Sequence, residues 1–147
     1  KDKIIDDSRL EMLLDLKVND DFTKLRDAAL LGDKTKTNKL LSDTIIDPDK
    51  NVYYIATFNQ RLDKLRELNN MSDKQNIEAK INSLKPPVFW KDKPCLTLQA
   101  KKWSKENLDL AQYKTYELEI RAKSDSAIVK SVLIKKLLVE VCEIANS

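Results

Sequence analysis

The sequence predicts an all-α fold, a compact multi-helix bundle, and three observations predict it. The 147 residues contain one glycine and four prolines, too few turn-formers for a β-rich chain of this length. Apolar residues recur at spacings of three and four, the period of a helix with one buried face. Hydrophobic residues make up 41% and charged residues 35%, which suits one core beneath a strongly charged surface.

The elements follow in order. Leu10, Leu13, Leu14 and Val18 form a short apolar stripe with Ser8 as its cap. Asp20 or Asp21 then caps a second helix, whose buried face is Phe22, Leu25, Ala28, Ala29 and Leu31. Gly32 can take the left-handed conformation that closes a helix. Asp33 or Thr35 opens the next, with Leu40 and Leu41 inward, so residues 31–41 read as a helical hairpin.

Pro48 lies in a loop, and Asn51 caps a long helix reaching about Leu68. Its inward positions are Ile55, Phe58, Leu62, Leu65 and Leu68, with Asn69 and Asn70 as terminators. Of the adjacent Tyr53 and Tyr54, only one can face the core. Ser72 through Gln75 has capping-box spacing ahead of Ile77, Ile81 and Leu84, and Pro86-Pro87 ends that helix. Val88, Phe89 and Trp90 form an apolar knot. A helix from Pro94 to Lys102 follows, with proline tolerated in its first turn. Ser104 caps another, with Leu108, Ala111, Thr115, Leu118 and Ala122 inward. After a break at Asp125 or Ser126, the last helix buries Ile128, Val132, Leu133, Leu137, Leu138 and Val141.

Composition excludes several kinds of chemistry. The chain has no histidine, hence no Ser-His or Cys-His nucleophile pair and no imidazole base. One glycine cannot build a phosphate-cradling loop. Cys95 and Cys142 are too few for a zinc site and read as reduced thiols in a reducing cytoplasm. The acidic pairs Asp6-Asp7 and Asp20-Asp21 read as helix-start residues rather than acid-base dyads. Glu119 and Lys123, four apart, suit an ordinary surface ion pair. No run of eighteen apolar residues exists to span a membrane, and the first sixteen residues lack the apolar stretch of a signal peptide. Because the chain begins with Lys1, it reads as a piece of a longer polypeptide. The expectation is therefore a cytoplasmic, non-catalytic docking domain with no cofactor, metal or small-molecule substrate.

Several stretches together resemble a known family. Residues 22–44, FTKLRDAALLGDKTKTNKLLSDT, resemble the helical hairpin that opens the C-terminal domain of the delta subunit of bacterial DNA polymerase III, with Ala28, Ala29, Gly32 and Asp33 matching its pattern. Residues 55–66, IATFNQRLDKLR, look like the next helix. Residues 86–108, PPVFWKDKPCLTLQAKKWSKENL, look like its proline-aromatic turn and following helix, and Trp103-Ser104 through Leu108 are the most specific match. Glu119 through Lys123 resemble the acid-then-lysine signature before its terminal helix. The resemblance covers roughly residues 21–142. It makes residues 20–147 a collar domain, and residues 1–19 a linker or the end of a preceding lid domain.

The resemblance implies a subunit of the clamp loader in a DNA-directed DNA polymerase holoenzyme. That assembly opens a ring-shaped sliding clamp and places it on primed DNA. The partners implied are the other clamp-loader subunits, joined in a circular collar. Sliding-clamp binding would reside in an N-terminal part upstream of Lys1, and DNA contact would be indirect. Aromatic and arginine side chains usually anchor such docking, which makes Arg61, Trp90, Trp103, Tyr113 and Tyr116 the candidate subunit-interface residues. The alternative is a helical nucleic-acid-binding module. It would use Lys91, Lys93, Lys101, Lys102 and Lys105 for phosphates, beside Trp90 and Trp103 for stacking.

Overall fold

The structure, a computed structural model, describes residues 7–71, 76–124 and 127–147. The capping box at Ser72 through Gln75 and the break at Asp125 or Ser126 lie outside these, as does the Ile128 side chain. Among the described residues every regular element is a helix. These are α1 (Asp7–Leu30), α2 (Lys34–Asp43), a 3-10 turn (Pro48–Lys50), α3 (Asn51–Asn70), α4 (Ile77–Asn82), α5 (Lys93–Lys102), α6 (Lys105–Ser124) and α7 (Ala127–Ala145). The all-helical, compact multi-helix architecture is the one the glycine count and the apolar period predict.

Two helices organise the packing. α7 lies against α1, α2, α3 and α6, while α3 also meets α5 and α4. Both are lined on the inside by the residues that periodicity selects: Ile55, Phe58, Leu62, Leu65 and Leu68 of α3, and Leu133, Leu137, Leu138 and Val141 of α7, are buried. All five inward positions expected of α6, Leu108 through Ala122, are buried as well. Burying each such aliphatic side chain contributes about 1.5–3 kcal/mol.

The hairpin between α1 and α2 is closed by chain geometry. Gly32 has φ +72°, the left-handed conformation. Its N–H donates to the Ala29 carbonyl at 3.0 Å, and the Asp33 N–H reaches the Ala28 carbonyl at 3.2 Å. That bond pair is the Schellman ending, which satisfies carbonyls the helix leaves open. Asp33 then caps α2, accepting from the Lys36 N–H at 3.0 Å. Gly32→Ala is expected to destabilise the fold by about 1–2 kcal/mol, the cost of forcing an L side chain into that conformation. A Cβ there would also stand 2.8 Å from Asn146 Oδ1, whose amide donates to the Gly32 carbonyl. Urea unfolding midpoints measure it, and an unchanged midpoint would contradict the assignment.

Several expected boundaries move. α1 runs without interruption through residues 19 and 20, so Asp20 and Asp21 are mid-helix and cap nothing; Asp20 instead pairs with Lys24 one turn on, at 3.3 Å. Ser8 is likewise inside α1. Its neighbours Leu10, Leu13 and Leu14 are exposed rather than inward, and the Val18 side chain lies outside the described residues. Leu31 is half-buried, whereas Leu30 is fully enclosed. Asn51 does not cap α3. It is the first helical residue, buried, with Oδ1 unpaired, and the entry is made by the 3-10 turn that Asp47 caps through the Asp49 N–H. Asn76 caps α4 through the Ala79 N–H at 2.8 Å. Val132, expected inside, is 59% exposed, and Ile134 takes the buried place.

Candidate functional site

The segments carrying polar chemistry meet in one internal network. Arg61 projects from the middle of α3 and is 3% exposed. Its guanidinium donates to both Asp92 oxygens, at 2.8 and 2.7 Å, a bidentate pair. Its Nε donates to Gln99 Oε1 at 2.7 Å, and the Gln99 amide donates onward to the Asp27 carbonyl oxygen at 3.2 Å. Arg26 Nε donates to the Asp27 carboxylate at 2.9 Å, and Arg26 Nη1 to the Thr57 carbonyl at 3.2 Å. Two arginines thus face two aspartates, and the network ties α1 to α3 and α5. Each local fold serves it. Pro94 stands in the first turn of α5 and Asp92 at the entry to that helix, turned toward α3, while Gln99 sits on the buried face of α5.

The electrostatics hold Arg61 and Asp92 charged. The hydrogen bonds from Arg61 keep the Asp92 carboxyl below its ordinary range, against a smaller opposing effect of burial. Burial alone would lower the Arg61 guanidinium, but the Asp92 hydrogen bonds and the Asp27 carboxylate outweigh it and leave Arg61 raised. Burial pushes the half-buried Cys95 thiol up, and Asp27 adds to that.

Asp27, Asp92 and Cys95 place a ligand atom each within 4.8 Å of one another. The Arg61 guanidinium already supplies the cation there, 3.7 Å from Asp27 and 2.7 Å from Asp92. A raised thiol is a poor source of thiolate. The cluster is an internal charge clamp between helices.

Trp103 forms the second buried joint. It is 3% exposed, and its indole N–H donates to the Leu30 carbonyl at 2.7 Å, closing the end of α1. Asn69 at the end of α3 donates to the Trp103 carbonyl at 3.3 Å, and Ser104 Oγ caps α6 through the Asn107 N–H. Arg61 and Trp103 are therefore enclosed within the chain and are not surface anchors, a correction to their expected placement.

The other three candidates are outside. Trp90 is 68% exposed, and Tyr113 and Tyr116 stand on the outer face of α6. They do not form one patch. Trp90, whose ring lies 6.0 Å from that of exposed Phe89, lines with exposed Leu98 a groove of about 610 Å³ that Ile81, Pro94 and Thr97 also line. The apolar knot is thus divided, with Val88 buried and both aromatics outside. Tyr113 and Tyr116 join Leu110 and Ile120 in a stripe along α6. Tyr54 is buried, with its hydroxyl accepting from the Asp47 N–H, and Tyr53 is the outward one of that pair.

The lysine strip is also divided. Lys91 lies 5.4 Å from the centre of the Trp90 ring, and Lys93 donates to Asn82. Lys101 and Lys102 are at the opposite end of α5, beside a tryptophan that is buried. Sequence reasoning missed Asp27, Asp92 and Gln99 as Arg61 partners, and nothing in their spacing signalled the contact. It also missed Leu110 and Ile120, which the α6 period does place opposite the core.

These features define the class: a compact, all-helical domain joined inside by a charge clamp, with apolar side chains on its outer faces. No helix among the described residues is long and apolar enough to cross a membrane. No family model, curated protein or solved structure matches the chain.

Proposed function

We propose that this chain is the collar domain of the delta subunit of a bacterial DNA polymerase III clamp loader. In this reading it is a cytoplasmic, non-catalytic assembly domain that supports loading of the sliding clamp onto primed DNA. One observation carries the reading. The segments on which the sequence resemblance rests touch one another through specific bonds. The hairpin segment meets the tryptophan-serine segment where the Leu30 carbonyl accepts from Trp103, and the arginine-bearing helix meets the proline-aromatic segment at the Arg61–Asp92 pair. Residues matched in order along the chain thus serve as the joints of one body. That is the expected use of such motifs in a domain whose work is to hold its shape between two neighbours.

The outer faces supply the docking surface. The collar's contacts with different neighbours are heterologous. The α6 stripe and the Trp90 rim offer separate apolar faces of the aromatic kind that anchors interfaces. The exposed first half of α1, with Leu10, Met12, Leu13, Leu14 and Leu16, is the surface against which the preceding part of the subunit would pack.

The test is reconstitution. The 147-residue chain is mixed with the remaining clamp-loader subunits and the assembly is followed by native mass spectrometry. Incorporation into a loader particle is expected, and Tyr113→Ala with Tyr116→Ala is expected to weaken it while leaving the melting temperature in place. Failure of the unaltered chain to enter any loader particle would end the reading.

A second reading, contact with nucleic acid, is favoured by exposed Trp90 with Lys91 against its ring and Lys93 in the same groove. Phosphate contact of that kind weakens steeply with salt, whereas apolar subunit docking does not. Binding of single-stranded DNA that is lost on adding salt and on Trp90→Ala would support it.

A further inference from the structure

The stripe on α6 is not only apolar; its charges are ordered along the helix. The exposed acids Glu106 and Asp109 lie in the first two turns, flanked by Lys105, and the exposed bases Arg121 and Lys123 lie in the last turn, after Glu117 and half-buried Glu119. Between them stand Leu110, Tyr113, Tyr116 and Ile120, all large and all exposed. Acid at one end and base at the other is a self-complementary pattern. A second α6 laid antiparallel sets each acidic end against a basic end, twice, by symmetry.

We propose that two copies of this chain pair through α6, antiparallel and about a two-fold axis near Thr115 and Tyr116. In that register Leu110 approaches Ile120 of the second copy, and the tyrosines meet at the centre. Glu106 and Asp109 face Arg121 and Lys123, and Lys114 faces Glu117. Lys105, the first residue of α6, falls opposite residues past the end of the facing helix. Some of these groups already have partners within the chain: Asp109 pairs with Arg66, and Lys114 with Glu140. The symmetric contact adds a second opposite charge to each.

The outer half of α1 exposes as much apolar surface, but acid and base are intermixed along it, with Asp7, Arg9, Glu11, Asp15 and Lys17 in order. It therefore carries no such preference for a copy of itself. The pairing does not rest on the collar reading. A sister subunit docking on α6 would compete with the second copy.

The experiment uses charge exchange. Sedimentation equilibrium of the 147-residue chain is expected to show a concentration-dependent dimer. One variant, Glu106→Lys with Asp109→Lys, makes both ends of the stripe basic. The other, Arg121→Glu with Lys123→Glu, makes both ends acidic. Each alone is expected to weaken self-association on the order of a hundredfold, since like charges then face each other at both ends. An equimolar mixture of the two is expected to restore a dimer containing one of each, which a variant that had merely loosened its fold would not do. A chain that stays monomeric at every concentration would overturn the proposal. So would a dimer indifferent to both exchanges, or a mixture that fails to associate. None of these outcomes bears on incorporation into a loader particle.

Discussion

Arg61→Ala is expected to destabilise the fold by about 3–5 kcal/mol, the cost of breaking a buried pair and stranding its partner. Domain stabilities are only about 5–15 kcal/mol, so the variant should be close to unfolding at ordinary temperature. Arg61 has three partners: Asp27 on α1, Gln99 on α5 and Asp92 at the entry to α5. Alanine removes all of them at once and leaves a cavity between α3 and α5. Arg61→Lys should recover little, because one ammonium cannot span both Asp92 oxygens and Gln99. Urea denaturation measures the change, and a loss below about 1 kcal/mol would mean the clamp is solvated and dispensable.

The same pair sets an acid response. Asp92 is held below its ordinary pKa in the folded chain. A carboxylate of lowered pKa contributes stability that is complete above its unfolded value and lost as pH falls through its folded value. The wild-type chain should therefore lose stability on acidification below about pH 4, the ordinary carboxylate range. In Arg61→Ala the cause of the depression is gone, so the part of the acid slope due to Asp92 should vanish. A parallel slope in both proteins would show that Asp92 does not sense Arg61.

Trp103→Ala is the second large effect, expected at about 3–5 kcal/mol. The indole is enclosed, and its N–H is the partner of the Leu30 carbonyl at the end of α1. Trp103→Phe separates the two contributions. It keeps most of the volume and leaves the carbonyl unpaired, at about 1–3 kcal/mol. Because Trp103 is enclosed, the loss should appear in folding and not in docking. Under conditions where Trp103→Ala remains folded, its association should match wild type. Unchanged melting with lost assembly would move the residue to an interface.

Much of the fold was legible because one-sided burial writes itself into helical spacing. Ile55 to Leu68 on α3 and Leu108 to Ala122 on α6 could each be assigned from period alone, and every one is buried. Helical spacing carries no such information where the pattern lacks contrast. α7 is apolar around most of its circumference, so Val132 and Ile134 could not be told apart by spacing, and their neighbours decide which is inside. The same is true where one residue type serves two purposes. Aspartates suit helix starts and helix middles alike, and Asp20-Asp21 are the latter, the first exposed and the second half-buried. The spacing of Leu14, Val18, Phe22 and Leu25 already carried the continuity of α1 across them.

By itself the sequence determined that this chain is helical and which faces of α3 and α6 turn inward. It also placed the sharp reversal at Gly32. Those outcomes follow from local backbone geometry and from each helix's own apolar moment, which act within a few residues. Only the tertiary structure decided that Arg61 and Trp103 are enclosed while Trp90, Tyr113 and Tyr116 face out. The partners that enclose Arg61 lie 31 and 38 residues further along the chain, at Asp92 and Gln99, and the Leu30 carbonyl that receives Trp103 is 73 residues away. An arginine in a helix carries no mark of whether a carboxylate will arrive to neutralise it, because that contact exists only once the helices have packed.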